Sequence, residues 1–363
     1  MNVYVLNSTF KKIAVIDKYE SLIWTTRARA VGDFALYLRA SEEAYNKIDS
    51  GAYLVRETDV LGPTLFRNVM RLNGKGGGVE IKEEAGSGIY MNVTGQDLKS
   101  ILYQRVISEQ TALYDTIPNL VTALIDQTLT NPADGNRAVN IGRSTDDITD
   151  ADILTTAVPR QWTGTNLGDA VQELLDSVNL SYDITVANGA FYLKLYEGID
   201  RSYEQNANDY VIFSEGFENL ISTNFRRGKM NDYCNGAYIG GEGEGSDRTI
   251  VEYFSEAGTG LDRYEAWVDA RNTSSNNGSI TQSEYEKGLK QEGAEVVAEA
   301  KDKSADTFDA EIDLTASQFK LNTDFYLNDI VQVKGGWISA ARRVVEVIES
   351  EGKGGRKTVA KFA

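Results

Sequence analysis

The chain has 363 residues, with 54 acidic against 37 basic side chains for a net charge of −17, and it contains no histidine. The surplus of carboxylates argues against a nucleic-acid binder, which needs a basic footprint on phosphates. The missing imidazoles remove every Ser-His-Asp or Cys-His arrangement and most zinc sites.

An apolar fraction of 41% fits an ordinary globular protein, at a length where several cores are expected in place of one. Four prolines against 33 glycines leave turn-making to glycine, the pattern of a multi-hairpin β protein. Cys234 is the lone cysteine, so no intramolecular disulfide is expected and synthesis is placed in a reducing cytoplasm. No apolar run approaches the ~20 residues that span a bilayer.

The opening Met1–Leu6 alternates as a short strand and lacks the regions of a signal peptide. Phe34, Leu36 and Leu38 share one face of a second strand, and Ser41 caps a short helix whose first turn carries Glu42 and Glu43. Further strands are predicted over 53–57, 64–72, 79–84 and 89–94, with Asn73–Gly78 as a hairpin tip.

After Thr94 the pattern changes. Helices are predicted over 96–102, 117–130 and 166–178, the last with Asn166 as cap and Leu167, Val171, Leu174 and Leu175 in one stripe. The stretch 131–152 is polar and reads as a loop holding one short strand. Tyr182, Ile184 and Val186 then alternate up to Asn188-Gly189, and 190–196 alternates back, a hairpin signature.

From Tyr210 strands return at 211–213, 220–226, 233–239 and 248–254. Asn272–Ser279 is a polar surface loop, and 283–303 is a charged helix burying Tyr285, Leu289, Val296 and Val297. Strands over 307–314, 330–333, 341–350 and 356–362 close the chain, the last two joined by a turn at 352–355. The fold class expected is β-rich α+β, in four segments: 1–95 barrel-like, 96–205 an inserted α+β unit, 206–305 β-rich with the long helix, and 306–363 strands that complete a barrel with earlier segments.

No motif brings catalytic chemistry. Ser8-Thr9-Phe10-Lys11 has the letters of a Ser-x-x-Lys nucleophile without its companion motifs, and Gly74-Lys75-Gly76 lacks Walker spacing. The acidic run 144–152 lacks the order of a calcium loop. A glycosidase needs only two carboxylates, and nothing localises such a pair to a cleft. Gly240–Ser246 sets Glu242 and Glu244 among four glycines. It reads as a cation site, as carboxylates meeting Arg or Lys of a neighbouring copy, or as an acidic loop tip. Arg263, Tyr264 and Trp267 lie where charge alternates with aromatic residues, either as an interface edge or as ordinary half-buried packing. Glu242, Glu244, Arg263, Tyr264 and Trp267 are therefore the candidate subunit-interface residues, and no catalytic, cofactor or metal site is expected.

Six segments resemble tail-tip proteins of siphophages that infect Gram-positive bacteria, a family related in fold to contractile-phage baseplate hubs. They are 1–7, Thr94-Gly95-Gln96-Asp97-Leu98-Lys99-Ser100-Ile101-Leu102, Gly164-Thr165-Asn166-Leu167-Gly168-Asp169-Ala170, Gly241–Ser246, Gly260-Leu261-Asp262-Arg263-Tyr264 and Phe325-Tyr326-Leu327-Asn328-Asp329-Ile330-Val331-Gln332-Val333. The likeness runs in order along nearly the whole chain. It implies a non-enzymatic hub in the virion, assembled in the host cytoplasm as a trimer of tube-like β-barrel domains plus α+β domains. Its implied partners are a distal tail protein or tail-tube ring, the tape-measure protein, and receptor-binding or fibre proteins. DNA would pass its acidic surface without specific binding, and ejection would need the ring to open. The competing readings are a cell-wall carbohydrate-binding or glycoside-cleaving β protein, and a capsid or tail-tube subunit in sixfold rings.

Overall fold

The computed structural model describes residues 1–84, 88–226, 231–254, 257–271, 273, 275, 279–304, 307–314 and 317–362. Its largest element is a 13-stranded sheet that takes strands from both ends of the chain. The alternation of Asp33–Arg39 puts Phe34, Leu36 and Leu38 inside and leaves Tyr37 and Arg39 outside, as the sequence predicts. That strand pairs on one side with Ser21–Arg27 and on the other with Gly88–Asp97. Residues 346–352 of the long Ile338–Gly352 strand then add to the free side of Ser21–Arg27. The C-terminal hairpin, Ile338–Gly352 with Gly355–Phe362, is thereby joined to the N-terminal sheet by a ladder of backbone hydrogen bonds.

The sheet curls round its own core. Val3, Val5, Ile16, Leu22, Trp24, Phe34, Met91 and Val93 form one buried cluster, although their strands are spread along the sheet order. Helix α1 (Glu42–Asp49) packs at its edge, and the Ser41 hydroxyl accepts from the Ala44 amide at 3.1 Å as the expected cap.

A second core belongs to the helix-containing unit. It holds α2 (Ile117–Ile125), α3 (Ala151–Thr155) and α4 (Leu167–Asp176) over a four-stranded sheet. Asn166 caps α4 by accepting from the Gly168 amide at 2.8 Å, and Leu167, Val171, Leu174 and Leu175 are buried. The predicted hairpin forms between Ser181–Ala187 and Ala190–Tyr196, with Asn188 and Gly189 both at positive φ. The Leu65–Phe66 strand reaches in from the N-terminal region to extend this sheet.

A three-stranded sheet of Gly236–Gly240, Ile250–Tyr253 and Glu265–Asp269 lies on the long helix α5 (Gln282–Ser304). Ala237, Ile239, Tyr285, Leu289 and Val297 share its core. Gly293 lets α5 lie close on the sheet, since a Cβ there would meet Ile239 Cδ1 at 2.5 Å and displace that side chain. The fourth core joins Val211 and Phe213 to Val331, Val333, Val344, Val347 and Phe362.

The architecture is the β-rich α+β arrangement expected, with differences inside it. Residues 96–102 are not an α-helix. The strand runs to Asp97, and a 3-10 turn follows over Leu98–Gln104. Leu98 to Leu102 are all buried, so the segment has no solvent face for an amphipathic stripe to be read against. The predicted 64–72 strand is interrupted at Asn68, whose φ is 48°. The one short strand expected within the polar stretch 131–152 is present as Ile141–Asp147, held parallel to Ala190–Tyr196. Ladder hydrogen bonds hold it, so apolar alternation was never needed. Of the predicted 272–279 loop only residues 273, 275 and 279 are among the described residues. No described helix is long and apolar enough to cross a membrane.

Candidate assembly interface

The hairpin of Gly78–Glu84 with Gly88–Asp97 stands at a margin of the large sheet. Val79 lies opposite Val93, and Ile81 lies opposite Met91. Directly opposed residues of an antiparallel pair point to the same face. Val93 and Met91 are fully buried in the barrel core, yet Val79 and Ile81 remain 38% and 50% exposed. The apolar face of the sheet therefore continues past the point where the chain's own core covers it. The outer edge of Gly78–Glu84 has no partner strand among the described residues.

A second open edge is Lys12–Ile16, which among the described residues pairs only with Val3–Leu6. Ile13 and Val15 are exposed on it, and Lys11 and Lys12 flank them. The hairpin strand carries Glu80, Lys82, Glu83 and Glu84, with Lys82 ion-paired to Glu80 at 3.1 Å, so it is net acidic where the other edge is basic. Open, flat edges with apolar side chains are templates for pairing with another chain. Lys12 also lies over the Tyr4 ring, 3.8 Å from its centroid.

The residues singled out from sequence all belong to the sheet backed by α5, but they do different work. The Glu242 carboxylate accepts from the amide and hydroxyl of Ser275 at 3.0 and 2.6 Å, and its own amide donates to the Tyr285 hydroxyl at 2.6 Å. It organises its own loop. Glu244 is exposed beside the turn Gly245–Asp247. Arg263 donates to Glu265 at 2.6 Å and lies 3.8 Å from the centroid of the Phe254 ring, which in turn meets Tyr238 edge-on at 4.9 Å. Tyr264 meets Tyr233 edge-on at 5.1 Å. Trp267 is 54% exposed, with the Arg248 guanidinium 5.3 Å from its ring centroid. Tyr238 lies opposite Trp267 in the sheet, and its neighbours Ala237 and Ile239 face α5. The structure thus brings Arg263 and Trp267 to the sheet face that looks away from α5, and leaves Glu242 and Glu244 at its end. Aromatic and arginine side chains are the types enriched at interface centres.

Val79, Ile81, Ile13 and Val15 were not singled out from sequence. The alternation of 79–84 was legible; that the strand lies at an edge was not.

A groove of about 1070 Å³ opens between α4, the Leu220–Arg226 strand and the C-terminal hairpin, with Asp176, Thr223, Glu346, Ile348 and Phe362 among its walls. Among the described residues no group of three or more His, Cys, Asp or Glu side chains is placed to hold a metal ion.

A profile of the Siphovirus ReqiPepy6 Gp37-like protein family matches residues 2–361. No curated protein matches the chain. Among solved structures, the 43 kDa tail protein of prophage MuSo2 from Shewanella oneidensis is similar in fold, with a TM-score of 0.59 at 10% identity, over 100% of this chain and 98% of that one. A tail protein from Neisseria meningitidis MC58 gives 0.57 at 12% identity over 99% and 95%. Prophage tail protein gp18 from Listeria monocytogenes EGD-e gives 0.54 at 9% over 99% and 94%.

Proposed function

Because the chain belongs to the Siphovirus ReqiPepy6 Gp37-like protein family, we propose that it is a structural hub subunit at the distal end of a phage tail, one copy in a trimeric ring. One observation carries the reading. The barrel's core face runs on to Val79 and Ile81 at an edge with no partner strand among the described residues, so the chain presents a sheet that another copy can continue. The end-to-end likeness in fold to three tail proteins, two of them from prophages, supports the same reading.

In this proposal the hairpin edge of one copy, with Glu80 and Glu83, pairs with the Lys12–Ile16 edge of the next. Ring closure then protects two edges that would otherwise aggregate. The four sequence segments act as its units: barrel strands from both ends, the α+β insert and the α5-backed sheet. A distal tail protein or tube ring would sit above, receptor-binding or fibre proteins below, and the tape-measure protein would end in the lumen. DNA would leave past an acidic wall that repels its phosphates. The protein does its work by shape and contact, in the virion, with no bond-making step.

The test is molecular mass in solution. The wild-type chain should sediment as three copies of its 40.0 kDa mass. A Val79→Lys/Ile81→Lys variant should sediment as one copy with unchanged circular dichroism. A wild type that stays a single copy at high concentration would overturn the reading.

A further inference from the structure

The α+β unit and the α5-backed sheet meet along one seam. Helix α5 crosses the Ala157–Trp162 strand at Gly288, where a Cβ would lie 2.5 Å from Pro159 Cγ. The two backbones approach with no room for a side chain between them. Beside this contact Arg160, whose side chain is only 5% exposed, reaches across to the helix. Its Nη2 donates to the Glu295 oxygens at 3.2 and 3.1 Å, and its Nη1 lies 3.7 Å from Glu292 Oε1. Glu173, exposed on α4, adds a third negative charge near the same guanidinium.

The groups that face the cluster can be named from each element. The α+β unit contributes Arg160 and Glu173; α5 contributes Glu292, Glu295, Gln291 and Tyr285. Two largely buried carboxylates, Glu292 and Glu295, share this one cation, and the exposed Glu173 adds its charge from α4, so the fully ionised pair leaves one unmatched negative charge in the seam. Burying charge without full pairing is unfavourable, and proton uptake is the cheapest relief.

We infer that this seam is a proton-controlled latch: proton uptake by the glutamate cluster closes α5 onto the α+β unit, and proton release loosens it. Burial, opposed by Arg160 and reinforced by Glu295 and Glu173, pushes Glu292 up to about 7. Burial raises Glu295 as well. A carboxyl raised in the folded state gives stability that is complete below its unfolded value and is lost as pH climbs through the folded one. The seam is therefore tightest in mildly acidic solution and weakens on passing through neutrality. The latch would govern how firmly the Trp267-bearing sheet is held, whatever binds that sheet.

Amide hydrogen exchange on the full chain, corrected for intrinsic rates and followed across neutrality, tests this. Protection in the 157–162 strand and the first half of α5 should fall on the order of tenfold as pH rises, the change set by one pKa unit. Glu292→Gln should hold the low-pH protection at both ends of the range. Glu173→Gln, on the opposite side of the seam, should move the midpoint to lower pH. Wild-type seam protection that is flat with pH would overturn the latch. So would a fall of equal size and midpoint in both variants.

Discussion

Arg56 donates to Glu349 across 293 residues of sequence, tying the Tyr53–Arg56 strand to the C-terminal hairpin. The pair is the centre of a chain of charges. Arg56 also donates to Asp59 at 2.6 Å, Asp59 accepts from Arg67 at 3.0 Å and Asn68 at 2.8 Å, and Glu349 accepts from Arg356 at 2.6 Å. The guanidinium lies 5.0 Å from the Trp24 ring centroid. These two strands are well separated in the sheet order, so the contact marks where the curled sheet comes back on itself.

Breaking this pair on one side should be costly. Arg56 is 4% exposed; Glu349→Ala leaves it Asp59 alone, and Arg56→Ala leaves Glu349 with Arg356 and Asp59 with Arg67, so each variant removes one partner from a buried network and should destabilise by about 1–3 kcal/mol. Replacing both by apolar residues of similar volume should cost less than the sum. Urea unfolding followed by tryptophan emission measures the cycle; additive losses would mean the pair is not coupled.

The same junction has an acid dependence opposite in sign to that of the Arg160 seam. Burial by itself would raise Glu349, but Arg56 and Arg356 outweigh it and hold the carboxyl below its ordinary range. Its contribution is complete above the unfolded-state value and is lost as pH falls through the folded one. Acid titration of the wild type should show this loss below about pH 4, and Glu349→Gln should lack it.

Two glycines separate close packing from mere turn-making. At Gly95 a Cβ would lie 2.1 Å from the Arg71 carbonyl and 2.6 Å from Phe34 Cε1, with ladders fixing the strand on both sides. Gly95→Ala should therefore destabilise by about 1–3 kcal/mol. Gly354→Ala meets nothing within 4 Å and should stay within about 0.5 kcal/mol. Thermal melts of the two variants make the comparison.

Glu242 and Glu244 should behave as different kinds of residue. Glu242→Ala strands the Ser275 donors and should cost about 1–3 kcal/mol. Glu244→Ala should leave stability unchanged to within about 0.5 kcal/mol, and any effect it has should appear in assembly. Melting temperature and sedimentation read the two effects separately.

Much of the local structure was legible in the sequence. The Ser41 and Asn166 caps, the α4 stripe and the turn at Asn188-Gly189 depend on groups within a few residues of one another, so their chemistry is written locally. The candidate interface was legible only in part. Trp267 and Arg263 stood out as aromatic and charged residues on an alternating strand, and both do share the outer sheet face. Glu242 looked equally exposed, but a serine 33 residues away turns it inward.

Composition and short-range pattern determined that this is an acidic, histidine-free, β-rich protein with a helical insert, because side-chain chemistry and alternation are properties of neighbouring residues. Tertiary structure alone decided which strand lies beside which, and therefore which edges stay open. Val79 and Ile81 read only as part of a strand; the structure leaves them exposed although Val93 and Met91 opposite them are buried. Strand partners such as Ile338–Gly352 and Ser21–Arg27 are chosen by the packing of whole faces over some 300 residues, and no window of sequence contains that choice.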